Sequence, residues 1–113
     1  MSNIIEVSDA NFNALIANDK LPVMVEFYAT WCGPCRALSA FIDKISNECT
    51  GKLLLAKCNI ENATNTVENY NVSNLPCIIL FKNGKEIDRV VGFNQAKTRE
   101  LVDSILSDKL KFI

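Results

Sequence analysis

At 113 residues, the chain has the size of one domain, 1–113, able to bury enough surface to fold without disulfide staples. Its residues are 49% hydrophobic and its formal net charge is −1, which excludes a disordered chain and leaves no basic stripe for nucleic acid. Histidine is absent, so the commonest general base and zinc ligand is missing, and proton transfer must use a carboxylate, a lysine, a thiol or water.

Ile4–Val7 reads as a short strand, after which Ser8 is placed to cap a helix to about Asp19 with Phe12, Leu15 and Ile16 on one face. Leu21–Tyr28 reads as a central strand, apolar on both faces. Trp31-Cys32-Gly33-Pro34-Cys35 follows, leading into a helix-patterned stretch from Arg36 to Cys49. Ala37, Leu38, Phe41, Ile42 and Ile45 form its expected buried stripe, and Gly51 lies just beyond its end. Leu53–Ile60 is a second apolar strand, and the Asn- and Thr-rich stretch Thr64–Tyr70 reads as a helix with little intrinsic support. Cys77–Lys82 and Glu86–Val91 are strands joined at an Asn83-Gly84 turn, and Gly92 closes the second. Asn94 caps a last helix with Leu101, Val102, Ile105 and Leu106 inward, while Lys109, Lys111, Phe112 and Ile113 read as its frayed end. The order β-α-β-α-β-α-β-β-α predicts an α/β fold, a mixed sheet with helices on both faces.

No apolar run reaches membrane-spanning length, because Glu26 interrupts the best candidate. The N-terminus lacks the pattern of a secretory leader, so a cytoplasmic protein is expected. The Asn-x-Ser/Thr triplets at Asn62 and Asn71 then read as chance. Five cysteines cannot complete a disulfide framework. Cys49, Cys58 and Cys77 stand singly in or beside apolar segments, as buried free thiols do.

Cys32 and Cys35 are the chemistry-bearing pair. Their spacing sets two thiols one turn apart at the positive end of a helix, where the thiolate is favoured. Residues three apart on a helix have Cβ atoms roughly 5–6 Å apart, and a disulfide needs about 3.5–4.5 Å, so a small adjustment lets the bond open and close. Pro34 is tolerated because first-turn N–H groups have no helical partner, and Gly33 leaves room for a target backbone. Cys32 is expected to be exposed and to attack; Cys35, shielded by Trp31 and the strand ends, is expected to resolve the mixed disulfide. Lowering a thiol from about 8.5 to about 7 multiplies thiolate about 16-fold but costs about 5-fold in nucleophilicity, a net gain of about threefold. Proximity of Cys35 to the bond it breaks is the larger effect. A C-x-x-C pair also serves as half a zinc site, but no second pair completes one here, and no metal is expected.

Glu26 is the only charge between Leu21 and Ala29, and Lys57 the only one between Leu53 and Ile60. Charges in two-faced apolar strands are costly unless paired or neutralised. The two strands are therefore expected to be neighbours, with Glu26 and Lys57 meeting beneath the cysteines. Burial would raise the Glu26 pKa, Lys57 would oppose the rise, and the carboxylate would take the Cys35 proton. The alternatives are a structural ion pair or a glutamate reaching solvent.

Val25-Glu26-Phe27-Tyr28-Ala29-Thr30-Trp31-Cys32-Gly33-Pro34-Cys35, Ala56-Lys57, Leu75-Pro76, Phe81-Lys82-Asn83-Gly84 and Val91-Gly92 together resemble the thioredoxin family. The resemblance spans nearly the whole chain. It implies the thioredoxin fold, a three-layer αβα arrangement of a five-stranded mixed sheet and four helices. It implies a protein disulfide reductase, an electron carrier in cell redox homeostasis, recharged by NADPH through thioredoxin reductase. It further implies a cis-proline at Pro76, and target docking by Trp31, Gly33, Pro34, Leu75, Pro76 and Gly92 on a monomer. Four positions depart from the family pattern. Glu26 stands for aspartate, and Ala40 stands for a helix-kinking proline. Cys77 replaces Thr or Ser, as a third thiol at the site or as a buried residue. Phe93 replaces a small residue and would narrow target choice. A docking module with incidental redox chemistry and a disulfide oxidase or isomerase are the competing readings; Gly33-Pro34 favours reduction over the latter.

Overall fold

The apolar runs become strands of one sheet. In the computed structural model, which describes residues 4–18 and 20–107, these are β1 (Ile4–Val7), β2 (Val23–Tyr28), β3 (Leu54–Asn59), β4 (Cys77–Lys82) and β5 (Lys85–Val91). Their order is β1-β3-β2-β4-β5. β1, β3 and β2 are parallel, β4 is antiparallel to β2, and β5 is antiparallel to β4. Around them lie α1 (Phe12–Ile16), α2 (Gly33–Ile45), α3 (Thr64–Asn69) and α4 (Gln95–Leu106). The five-strand mixed sheet and four helices match the arrangement that the resemblance implies.

Strand alternation divides the core into two layers. Val23, Val25 and Phe27 of β2, Ala56 and Cys58 of β3, and Ile79 and Phe81 of β4 pack with Phe12 and Ile16 of α1. Met24, Leu55, Ile78 and Leu80 point the other way, against Leu38, Ile42 and Ile45 of α2 and Leu101, Val102 and Ile105 of α4. β2 and β4 are therefore covered on both faces. Glu26, between Val25 and Phe27, lies on the α2 side.

Several boundaries differ from the expected ones, each for a local reason. α1 does not start at Ser8, whose Oγ accepts from Ala10 N–H at 3.3 Å and organises the preceding turn; Asn11 takes the cap position. The expected end of this helix at Asp19 lies outside the described residues, as does the tail with Lys109, Lys111, Phe112 and Ile113. β2 begins after Pro22, which has no N–H for the ladder but accepts from Leu54 N–H at 3.0 Å. α2 starts earlier than Arg36, at Gly33, runs unbroken through Ala40, and tightens into a 3-10 turn at Ser46–Cys49. Ala37 is exposed, one position off the buried stripe Cys35, Leu38, Ile42, Ile45. β3 stops at Asn59, whose side chain accepts from Glu61 N–H at 3.0 Å and starts a 3-10 turn.

α3 has little helix propensity of its own, and a distant carboxylate supplies its cap. Asp9 Oδ1 accepts from Thr66 Oγ1 at 2.7 Å and Thr66 N–H at 2.9 Å, while Oδ2 accepts from Asn65 N–H at 3.1 Å. These bonds, the Thr66 hydroxyl foremost, hold the Asp9 carboxyl below the usual carboxylate range. At the β4–β5 turn, Asn83 and Gly84 take φ of 53° and 80°, the left-handed conformation that a tight hairpin requires.

Phe12 joins α1 to the sheet, its ring centroid 5.5 Å from Phe81, 5.5 Å from Tyr70 and 6.0 Å from Phe27. Replacing this fully buried ring by Ala is expected to cost about 3–5 kcal/mol. Urea unfolding of Phe12→Ala checks this: a midpoint equal to that of the parent would show that α1 is not part of the cooperative core.

Candidate active site

The last turn of β2 delivers the cysteines to the start of α2. Cys32 N–H donates to Ala29 O at 3.2 Å, and Cys32 is the N-cap of α2, with φ −95° and ψ 109°. Its Sγ accepts from Cys35 N–H at 3.2 Å, satisfying one of the helix's orphan donors. Pro34, in the first turn, brings no N–H to be orphaned. The Cα atoms of Cys32 and Cys35 are 5.3 Å apart, and the two are joined as a disulfide. The helix N-terminus faces whatever negative charge develops on Cys32 Sγ.

The sulfurs differ in access, though by less than expected. Cys32 is 7% exposed rather than open, and Cys35 is 1% exposed. Each cysteine lines its own cleft. Cys32 lines one of about 430 Å³ with Trp31, Gly33, Pro34, Ile60, Val72, Ser73, Asn74 and Leu75. Cys35 lines another of about 420 Å³ with Tyr28, Ala29, Thr30, Arg36, Ser39, Ala40 and Asp43. Trp31 does not shield Cys35: it is 70% exposed and forms a wall beside Cys32. Cys35 is enclosed by Ala29, Cys32 and the partly buried Tyr28, Ile60 and Leu75. A Cβ built on Gly33 meets nothing within 4 Å, so the surface there is open.

Of the other expected docking residues, Leu75 lines the Cys32 cleft, whereas Pro76 and Gly92 are not among its walls. The Leu75–Pro76 bond is cis, and Gly92 N–H donates to Pro76 O at 2.8 Å. Gly92 has φ 81°, a conformation that favours glycine. Val91 and Phe93, either side of it, are exposed. Ile60, Val72, Ser73 and Asn74 were not legible as cleft walls, because loops at the strand ends bring them there.

Glu26 and Lys57 are register partners on β2 and β3, but they do not form the direct pair that their isolation suggested. Lys57 Nζ lies 3.7 Å from Asp43 Oδ1 of α2, because its long stem reaches the half-open rim. The shorter Glu26 side chain, 2% exposed, stays beneath and meets α2 instead: its Oε2 accepts from Ser39 Oγ at 2.7 Å. Its Oε1 is buried with no hydrogen-bond partner. Burial pushes the Glu26 pKa up, opposed first by the Ser39 bond and then by the Lys57 charge; Asp43 and Glu6 add to the rise. Ser39 and Asp43 were missed in the sequence, although a polar residue four positions after Cys35 on one helix was a usable signal. On the same side, Tyr28 Oη donates to Glu6 Oε1 at 2.5 Å, and burial raises the phenol's pKa.

Cys49, Cys58 and Cys77 are free and buried. Of the two readings of Cys77, the structure has the buried one: it is 1% exposed and packs in the α1-side core. Burial pushes all three thiols up, Cys58 to about 12. Among the described residues, no three His, Cys, Asp or Glu side chains are grouped to hold a metal ion. Among them, too, no helix is long and apolar enough to cross a membrane.

Comparison with known proteins gives one consistent answer. The family model described as Thioredoxin matches residues 3–107. A thioredoxin of Rickettsia conorii is 43% identical over 89 residues, covering 79% of this chain and 85% of its own. One of Synechocystis sp. is 40% identical over 92 residues, covering 81% and 86%. The solved Plasmodium falciparum thioredoxin superposes with a TM-score of 0.82 at 29% identity, over 88% of this chain and 97% of that one.

Thiol reactivity should follow this geometry. After reduction, iodoacetamide at pH 7 should modify Cys32, while Cys49, Cys58 and Cys77 react only once the protein is denatured. For Cys58 the thiolate fraction is on the order of one in 10⁵. Mass mapping that finds Cys58 alkylated as fast as Cys32 in the native state would contradict the assignment. Glu26 makes a second expectation. A carboxyl whose pKa is raised on folding contributes its full stability below the ordinary carboxylate range and loses it as pH rises through the raised value. The urea midpoint should therefore fall less between pH 5 and 8 in Glu26→Gln, which mimics the neutral acid, than in the parent; parallel curves would show that Glu26 is not destabilised by ionisation.

Proposed function

We propose the function on one premise: this chain belongs to the thioredoxin family. Its activity is dithiol–disulfide exchange at Cys32 and Cys35, that of a thiol–disulfide oxidoreductase. The observation that carries it is a disulfide across the first turn of α2 whose two cysteines line different clefts. One side receives a target; the other handles the proton.

The physiological direction we assign is reduction of target proteins. Cys32 thiolate attacks one sulfur of the target disulfide, and the other target sulfur leaves with the electron pair. Cys35 then loses its proton and attacks Cys32 Sγ, so the protein ends oxidised and the target fully reduced. Glu26, buried beneath α2 with one oxygen unpartnered, is the base for Cys35. Lys57 tempers the cost of its charge. Trp31, Gly33, Pro34 and Leu75, with Pro76 and Gly92 adjoining, dock the target beside Cys32. Electrons return from NADPH through thioredoxin reductase, with no cofactor held by the protein itself. Three free buried thiols fit a reducing compartment, and we assign the protein to the cytoplasm as a monomer.

A Cys35→Ser variant should hold targets as mixed disulfides at Cys32, identifiable by mass spectrometry. A broad set marks a general reductant and one partner a specialist. An empty trap, with docking retained by Cys32→Ser/Cys35→Ser, would replace the redox role by a docking one. Glu26→Ala should slow resolution of the mixed disulfide across pH 6–9, and wild-type rates throughout would remove Glu26 from the chemistry.

A further inference from the structure

The two oxygens of Glu26 have unequal surroundings. Oε2 is held by the Ser39 hydroxyl at 2.7 Å, and Oε1 is buried with no partner. An unpartnered oxygen on a residue 2% exposed is expensive to keep. Ser39 comes from α2, four residues after Cys35, so the two side chains stack on one helix face with Cβ atoms roughly 5–6 Å apart. Both line the same cleft of about 420 Å³. The hydroxyl therefore ties the carboxylate to the same helix face that carries the resolving thiol.

We propose that Ser39 is a positioning residue that divides the work of the Glu26 carboxylate, fixing Oε2 so that Oε1 is the atom that takes the Cys35 proton. The inference rests on the reading of Glu26 as the base. In the step, the Cys35 S–H proton passes to Oε1, and the sulfur's electron pair forms the bond to Cys32 Sγ. The Cys32–target S–S bond breaks, and the target sulfur leaves with its electrons. It takes up a proton from solvent or from the Glu26 acid, which restores the carboxylate. No electrons are gained or lost by Glu26 or Ser39.

The hydroxyl also governs when the carboxylate is available. Facing Glu26 are Lys57 from β3, Asp43 from α2, Glu6 from β1 and Tyr28 from its own strand; its partner on β4 is the apolar Ile78. Of the contacts that favour the charged form, the Ser39 bond is the largest and Lys57 the next. Without the hydroxyl, burial is opposed mainly by Lys57, and ionisation requires higher pH.

The test is stopped-flow reduction of an aromatic disulfide that releases a coloured thiol. It follows the phase that no longer depends on disulfide concentration, from pH 5.5 to 9. In Ser39→Ala this intramolecular rate should fall roughly tenfold at pH 7, the loss expected from one charge-assisted hydrogen bond, and recover towards the parent rate at pH 9. Ser39→Thr, which restores a hydroxyl, should follow the parent profile. In a Glu26→Gln background, Ser39→Ala should add nothing. A Ser39→Ala profile that superimposes on the parent, or is lowered equally at every pH, overturns the role of Ser39. If Glu26→Gln itself leaves the profile unchanged, the base reading falls, and this inference with it.

Discussion

Burial of β2 on both faces is the constraint on which the remainder of the molecule rests. Val23 to Phe27 are all buried, so helices must cover the strand above and below. α2 is one of those covers, and its start is anchored where β2 ends, through Ala29 and Cys32. The site exists because a helix that must lie on this strand begins directly after it. Its first turn then projects from the sheet's end with two sulfurs in it. The same burial makes Glu26 costly, since it is 2% exposed and stands among apolar neighbours.

The structure relieves that cost in steps rather than by a single ion pair. Ser39 supplies a short hydrogen bond, and Lys57 a charge at longer range while it engages Asp43 at the rim. The carboxylate is left with a raised pKa and one free oxygen. A fully satisfied glutamate would be a structural anchor with little tendency to accept a proton. Partial satisfaction instead leaves its pKa raised by burial, in keeping with the base role proposed for it. The three remaining cysteines are in the opposite condition, buried away from the clefts without a base or helix terminus to ionise them. Of the five thiols, only Cys32 and Cys35 are paired as a disulfide.

Much of this was legible in the chain. The apolar runs, the cap at Asn94, the Asn83-Gly84 turn and the C-x-x-C spacing are local signals, and local physics acts on them directly. Asn94 caps α4 through Lys97 N–H, and β4 runs from Cys77 to Lys82 as its pattern indicates. The mismatches arise where a distant group intervenes. α3 depends on Asp9, more than fifty residues upstream. Trp31 was read as a shield because it adjoins the cysteines in sequence, yet side-chain direction at a helix entrance is set by what the loops leave open.

By itself, the sequence determined the order of elements, the family, and the two sulfurs that react, because each is encoded within a few consecutive residues. Tertiary structure alone decided what Glu26 touches, how the clefts divide Cys32 from Cys35, and which cation meets which acid. Those outcomes depend on side-chain reach across neighbouring strands and helices. A methylene more or less, or one turn of α2, selects Ser39 over Lys57 as the partner, and no pattern along a single chain specifies that distance.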